Sequence, residues 1–226
     1  MSPKRYLIIS ICVLTTFFIV AFLISPRSHF SLTQMLVAAD TKVFLQVNEY
    51  HFAPLDHFMI LVTQFGRELV WPITIAALFL LGGSIGKKAA IIMALIMITL
   101  IPIGILAKEV VARPRPFIPE TEIILAADSQ YAYPSGHSLI VAAGATVALA
   151  ELYRNSSARM QAVAIALAVE AALVCFSRVY VGAHYPLDVL GGILLGVGVS
   201  LLFLSQTSRI EYLLDIMTRA FKSRSQ

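Results

Sequence analysis

Three short stretches collect cations, histidines and, four residues after the second histidine, a carboxylate, in a combination suited to phosphate chemistry. The first, "KEVVARPRPF" at 108–117, carries Lys108, Arg113 and Arg115; the second, "YPSGHS" at 133–138, carries Ser135, Gly136 and His137. The third, "SRVYVGAHYPLD" at 177–188, carries Arg178, His184 and Asp188. Lys108, Arg115 and Arg178 supply positive charge, and an arginine fork matches phosphate oxygens two at a time. Ser135 and Gly136 open a helix, where backbone N–H groups and the helix dipole attract an anion. Glycine at 136 also lets a bound oxyanion approach the backbone closely, and His137 follows directly. His184 and Asp188 lie four apart with Pro186 suited to a first helical turn, so Asp188 falls on the side of the turn facing His184. A carboxylate there can hold one ring nitrogen as N–H and leave the other ready to act as a base or nucleophile. Two histidines then divide one reaction: one attacks phosphorus, the other protonates the leaving oxygen and later activates water. The cations stabilise the oxygens of the phosphoryl group in flight. The stretches hold no carboxylate cluster of the kind that binds magnesium, so the chemistry is expected to need neither metal nor cofactor.

Taken singly, each stretch has an ordinary explanation. Lysine and arginine near helix ends snorkel to the membrane interface, and Pro-Ser-Gly turns and caps helices. The elements that carry the three stretches decide the matter. Of 226 residues 58% are hydrophobic and 13% charged, against about a quarter charged in soluble domains. With a mean hydropathy of +0.83, this is the composition of an all-α integral membrane protein. Runs long enough to cross a bilayer fall at about 6–24, 69–85, 89–107, 138–153, 160–178 and 189–205. Six transmembrane helices in a single bundle over 1–226 are therefore expected. The first run is longer than a signal-peptide core and lacks a small-residue cleavage site, so it is expected to stay as an anchor. Six spans leave both termini on one side. That side receives ten of the 17 Lys and Arg residues, including the basic tail at 206–226, and the other receives seven. Four of those seven, Lys108, Arg113, Arg115 and Arg178, belong to the candidate site. The positive-inside rule thus places the termini in the cytoplasm and all three stretches on the extracytoplasmic face of the cell membrane. The net charge of +4 then reflects orientation, with no nucleic-acid partner implied. The segment 25–68 is too long and too apolar for a simple connection. Leu32, Met35, Leu36, Ala39, Val43 and Val47 recur at near-helical spacing, which fits a helix in the interface plane or a packed outer cap.

The three stretches together resemble the signature of the type-2 phosphatidic acid phosphatase superfamily. Lys-x6-Arg-Pro is met by Lys108 and Arg115-Pro116, Pro-Ser-Gly-His by 134–137, and Ser-Arg-x5-His-x3-Asp by Ser177-Arg178, His184 and Asp188. The resemblance covers most of the chain, as far as the "DVLGG" at 188–192 that opens the last span. It implies His184 as nucleophile, Asp188 as its orienting partner and His137 as general acid. It also implies Lys108, Arg115, Ser135, Gly136 and Arg178 as phosphate ligands, with Ser177 capping or supporting the site. The Lys108 spacing selects Arg115 as the motif arginine and leaves Arg113 to the interface or the substrate headgroup. The activity implied is removal of a terminal phosphate from a lipid, with polyprenyl diphosphates of the undecaprenyl type favoured over phosphatidate and related lipids. Transfer of the phosphoryl group to a lipid or sugar acceptor uses the same residues and is the alternative. Six spans argue against the vanadium haloperoxidases that share the signature. A non-enzymatic scaffold would make the two histidines dispensable.

Several other residues stand apart from the site. Glu170 lies mid-span, either pairing with a site cation or bonding between helices. Gly192 and Gly196 permit close helix packing, within the bundle or at a dimer face. His29, His51 and His57 are expected at the surface or near lipid headgroups. Cys12 and Cys175 fall inside apolar runs as small buried hydrophobes. Oligomeric state is not encoded legibly.

Overall fold

Ser2 accepts a hydrogen bond from the Arg5 N–H and Pro3 opens the first turn, starting α1 (Pro3–Ile24). The computed structural model describes residues 1–116, 130–154 and 157–209, and among these there is no β-strand. After α1 come α2 (Ser31–Val47), α3 (Ala53–Phe65), a π-helical turn (Gly66–Val70), α4 (Trp71–Leu81) and α5 (Gly83–Val111). α6 (Gly136–Val147), continued by a second π-helical turn (Ala148–Tyr153), α7 (Ala158–Tyr180) and α8 (Pro186–Ser205) complete the order. Six of these helical stretches are long and apolar enough to cross a membrane, as the sequence leads one to expect.

One boundary differs from expectation by a full helix. The second span runs over Ala53–Leu81, not from residue 69, because α3, the π turn and α4 form one continuous stretch. Its mean hydropathy is 1.2, against 2.7 to 2.9 for the spans on α1 and α5. Asp56, His57, Gln64, Arg67 and Glu68 dilute the apolar signal on α3 and hide the start of the span. Pro54, in the first turn, marks that start. The segment joining the first two of these stretches is therefore shorter than 25–68, and α2 is its one helix.

α2 faces the bundle with Thr33, Asp40 and Phe44, which are buried, and turns much of its apolar side outward. Leu32, Met35 and Val43 are 49%, 69% and 46% exposed. An outward apolar stripe on a non-spanning helix is what lipid at the interface would cover.

Within the bundle α8 is the central post, packed on α1 and α6. A side chain at Gly192 or Gly196 would strike the α6 backbone at Ser135 and Leu139, and one at Gly198 would strike Leu14 on α1. The small-residue stripe thus serves packing within the bundle. Without a hydrophobic drive between helices in lipid, such close backbone approach is what holds them. Ser10 adds an interhelical bond, Oγ to the Gly198 carbonyl at 2.7 Å. Trp71, wholly buried, seats its indole against Gly144 on α6.

The bundle end that matters is built by chain reversals. Ala112, at φ 54°, caps α5 in the left-handed region and turns the chain out immediately after Lys108–Val111. The chain returns with the Ala132 N–H on the Arg113 carbonyl at 2.8 Å, and the Ser135 N–H on the Asp188 carbonyl at 2.9 Å. These bonds bring the end of α5 and the starts of α6 and α8 together, with the end of α7 alongside. Residues 117–129, including Glu120, Glu122 and Asp128, and the tail 210–226 lie outside the described residues.

Candidate active site

Lys108, Arg115, Gly136, His137, Arg178 and His184 line one cavity of about 230 Å³ at this end of the bundle. Six residues expected in the site, drawn from three separate stretches, therefore share one space. Four of them are delivered by helix termini: Lys108 by the last turn of α5, Arg178 by the last turn of α7, and Gly136 and His137 by the first turn of α6. Arg115 follows α5 and His184 precedes α8 in non-helical chain. Arg178 is placed by two contacts: its Nη1 donates to Thr63 Oγ1 at 2.5 Å, and its carbonyl accepts the His184 N–H at 3.1 Å. Lys108 Nζ donates to the Tyr131 carbonyl at 3.3 Å.

His184 is 1% exposed. Burial is the main reason its imidazole is held well below its ordinary pKa, and the charges of Arg178, Arg115 and Lys108 add to the effect. The ring is therefore neutral. Arg115 Nη1 lies 3.2 Å from its Nε2 and also donates to the Ala183 carbonyl at 2.9 Å. Because a guanidinium can only donate, Nε2 carries the lone pair and the proton sits on Nδ1. The unshared pair thus points into the cationic pocket.

Asp188 stands on the Nδ1 side, but not in bonding contact. Its Oδ2 is 3.7 Å from Nδ1, beyond a hydrogen bond, and Nδ1 makes none among the described residues. The carboxylate is engaged elsewhere. Oδ2 accepts the Tyr185 N–H at 2.9 Å, closing a capping box on α8, and Oδ1 accepts Arg113 Nη1 at 2.7 Å. The close His–Asp bond suggested by the spacing is thus a looser electrostatic contact.

Arg113 does not reach an interface or a headgroup. It is 3% exposed and lies between two carboxylates, Asp188 and Asp40, the latter at 2.6 Å from Nη2. Burial works to lower its pKa; the two acids more than offset that and raise it. The Tyr185 ring stacks 4.5 Å from the guanidinium carbon. Asp40 also accepts the Leu187 N–H at 2.9 Å, so α2 grips the start of α8 directly. Sequence alone did not single out Asp40. Its only signal is that it is the one carboxylate of α2.

Ser135 and Asp188 do not line the cavity. Ser135 is fully buried; its Oγ caps α6, close to the Ser138 N–H and Oγ, and its N–H is spent on Asp188. Ser177 bonds back to its own helix through the Val174 carbonyl at 2.7 Å. Glu170 accepts the Trp71 indole N–H at 3.1 Å, which is the interhelical alternative and not a site ion pair. His51, expected at the surface, packs edge-on against Tyr180 and approaches Asp56 at 3.1 Å. Arg67 and Glu68 are further additions that sequence did not reveal. Arg67 lines the cavity, and Glu68 Oε2 stands 3.7 Å from His137 Nε2.

A neutral buried imidazole, four cationic side chains (Arg67, Lys108, Arg115 and Arg178) and a helix N-terminus around one small cavity can attack and stabilise a phosphoryl group. Residues 88–212 match the PAP2 superfamily. The chain is 36% identical to an undecaprenyl-diphosphatase of Sulfolobus acidocaldarius, over 74% of this chain and 77% of that one. It is 28% identical to an undecaprenyl-diphosphatase of Bacillus subtilis, over 77% and 86%. The crystal structure of a PAP2-type phosphatidylglycerolphosphate phosphatase from Bacillus subtilis superposes with a TM-score of 0.67 at 28% identity, over 89% of this chain and 96% of that one. Fold and likeness together define a multi-pass membrane lipid phosphatase. The chain belongs to the PAP2 superfamily.

Proposed function

We propose that the protein hydrolyses the terminal phosphate of a polyprenyl diphosphate of the undecaprenyl type, through a phosphohistidine on His184. Nε2 attacks the terminal phosphorus, the bond to the bridging oxygen breaks, and His137 gives that oxygen its proton. Polyprenyl monophosphate leaves. Water then attacks the phosphohistidine, His137 takes the proton, and inorganic phosphate departs. Lys108, Arg115, Arg178 and the N-terminus of α6 carry the charge of the transferred group in both steps. Asp188, set by Arg113, holds the ring tautomer from 3.7 Å.

The observation that carries this reading is the Nε2 lone pair of a neutral His184 aimed into the cationic pocket. Two features support a long lipid as substrate. The pocket adjoins an apolar groove of about 1,040 Å³ between α4 and α5, and the groove faces outward among exposed Phe79, Leu80 and Ile98. The two undecaprenyl-diphosphatases above supply the precedent for the headgroup. The distribution of lysine and arginine supports cytoplasmic termini and an extracytoplasmic site.

The test is phosphate release from a panel of lipid phosphates and diphosphates, wild type against His184→Asn. A loss on the order of 10³-fold or more is expected, with an acid-labile, base-stable phosphoryl label on wild type only. Full activity in the variant would remove the mechanism. Loss of donor phosphate without inorganic phosphate release would point to transfer instead. Labelling of Ser157→Cys from outside intact cells, in a background lacking Cys12 and Cys175, would invert the orientation.

A further inference from the structure

Arg67 occupies the π-helical turn between α3 and α4 and faces the pocket rather than the lipid. Its Nε and Nη2 are taken by Glu68, with Nε to Oε1 at 2.8 Å. Its Nη1 stands 3.6 Å from where a Cβ on Gly136 would lie, beside the α6 N-terminus. Three residues line both the polar pocket and the apolar groove: Arg67, Ile101 and Ile140. Arg67 is the only charged one. A lipid with its tail in the groove and its terminal phosphate in the pocket must therefore pass its connecting group beside this guanidinium.

What that connecting group is determines what Arg67 can do. The terminal phosphate already meets Lys108, Arg115, Arg178 and the α6 N-terminus. In a lipid monophosphate the connecting atom is an uncharged ester oxygen, which offers an arginine fork little. In a lipid diphosphate it is the inner phosphate, negative at the start and more negative as the bridging bond breaks. A guanidinium placed there binds the ground state and, more strongly, the departing phosphate. Glu68 keeps the side chain of Arg67 from swinging out to the interface, where it would otherwise snorkel.

We propose that Arg67 forms the subsite for the inner phosphate of a lipid diphosphate and sets the preference for diphosphates over lipid monophosphates. This rests on the polyprenyl-diphosphate reading above. The experiment compares wild type, Arg67→Ala and Arg67→Gln on a polyprenyl diphosphate and on a lipid monophosphate, with kcat and KM for each. The ratio of kcat/KM, diphosphate over monophosphate, is expected to fall about tenfold or more in both variants. Inhibition by the product polyprenyl monophosphate should weaken in the same variants, while inhibition by inorganic phosphate, held in the inner cradle, should change far less. Activity lost equally on both substrates, or inhibition by both products weakened alike, would overturn the subsite and leave Arg67 a structural partner of Glu68. Wild-type enzyme inactive on the diphosphate but active on the monophosphate would overturn the substrate reading, and the subsite with it.

Discussion

Protonating His184 would add a further positive charge to a pocket that already holds Arg67, Lys108, Arg115 and Arg178. The fold therefore keeps the imidazole neutral well below its ordinary value, and that depression has a thermodynamic counterpart. Below pH of about 6.5 an unfolded His184 takes up a proton, whereas the folded one does not. The unfolded state then binds more protons, so stability must rise with pH and fall as pH drops through that value. The Tm of detergent-solubilised protein should decline between pH 7 and 5, and more steeply for wild type than for His184→Gln. The remaining histidines are common to both proteins and cancel in the difference. Parallel curves would mean that His184 does protonate in the folded state, and its lone pair would then not be available at low pH.

At the scale of elements, α2 acts as a clamp on the start of α8. Its Asp40 holds Arg113 and the Leu187 N–H, Arg113 holds Asp188, and Asp188 caps the helix that begins directly after His184. Removing the centre of this chain and removing its outer end should differ. Arg113→Ala strands two buried carboxylates and should cost about 3–5 kcal/mol of stability. Asp40→Asn leaves Arg113 paired with Asp188 and keeps the shape; folding should survive while kcat falls about tenfold, because the aim of Asp188 slackens. Equal kcat in wild type and Asp40→Asn would reduce the clamp to a structural tie. None of this chain was legible in the sequence, and the reason is physical. The three signature stretches are legible because their spacing is local: each lies at a helix end, where a few residues fix both geometry and chemistry. Arg113 to Asp40, Arg178 to Thr63 and Leu187 to Asp40 join positions far apart in the chain, and no periodicity predicts such pairs. The same cause hid Arg67. Polar residues on α3 and the π-helical turn made this stretch read as part of the interfacial segment, although it belongs to the second apolar helical stretch.

For the whole molecule, the polar pocket and the apolar groove form one path with Arg67 at the junction. The groove divides recognition of the substrate into two parts with different energetics. On the proposed reading, headgroup binding draws on the charge and donors of the polar pocket, and can be strong. Tail binding transfers hydrocarbon from lipid to protein, so it gains no hydrophobic energy and depends only on fit. Filling the groove should thus shift chain-length preference modestly and leave phosphoryl transfer itself intact. Ala94, half-buried on α5, lines the middle of the groove. An indole at this position occupies space that a long prenyl chain needs, while a short chain can stop before it. For Ala94→Trp, the kcat/KM ratio of a long-chain to a short-chain prenyl diphosphate should fall about tenfold, mostly through KM. If both substrates lose activity in proportion, the substitution has disturbed the bundle, and its effect says nothing of the tail. If both keep wild-type kinetics, the tail lies outside the groove, and the lipid reaches His184 from another side of the helix bundle.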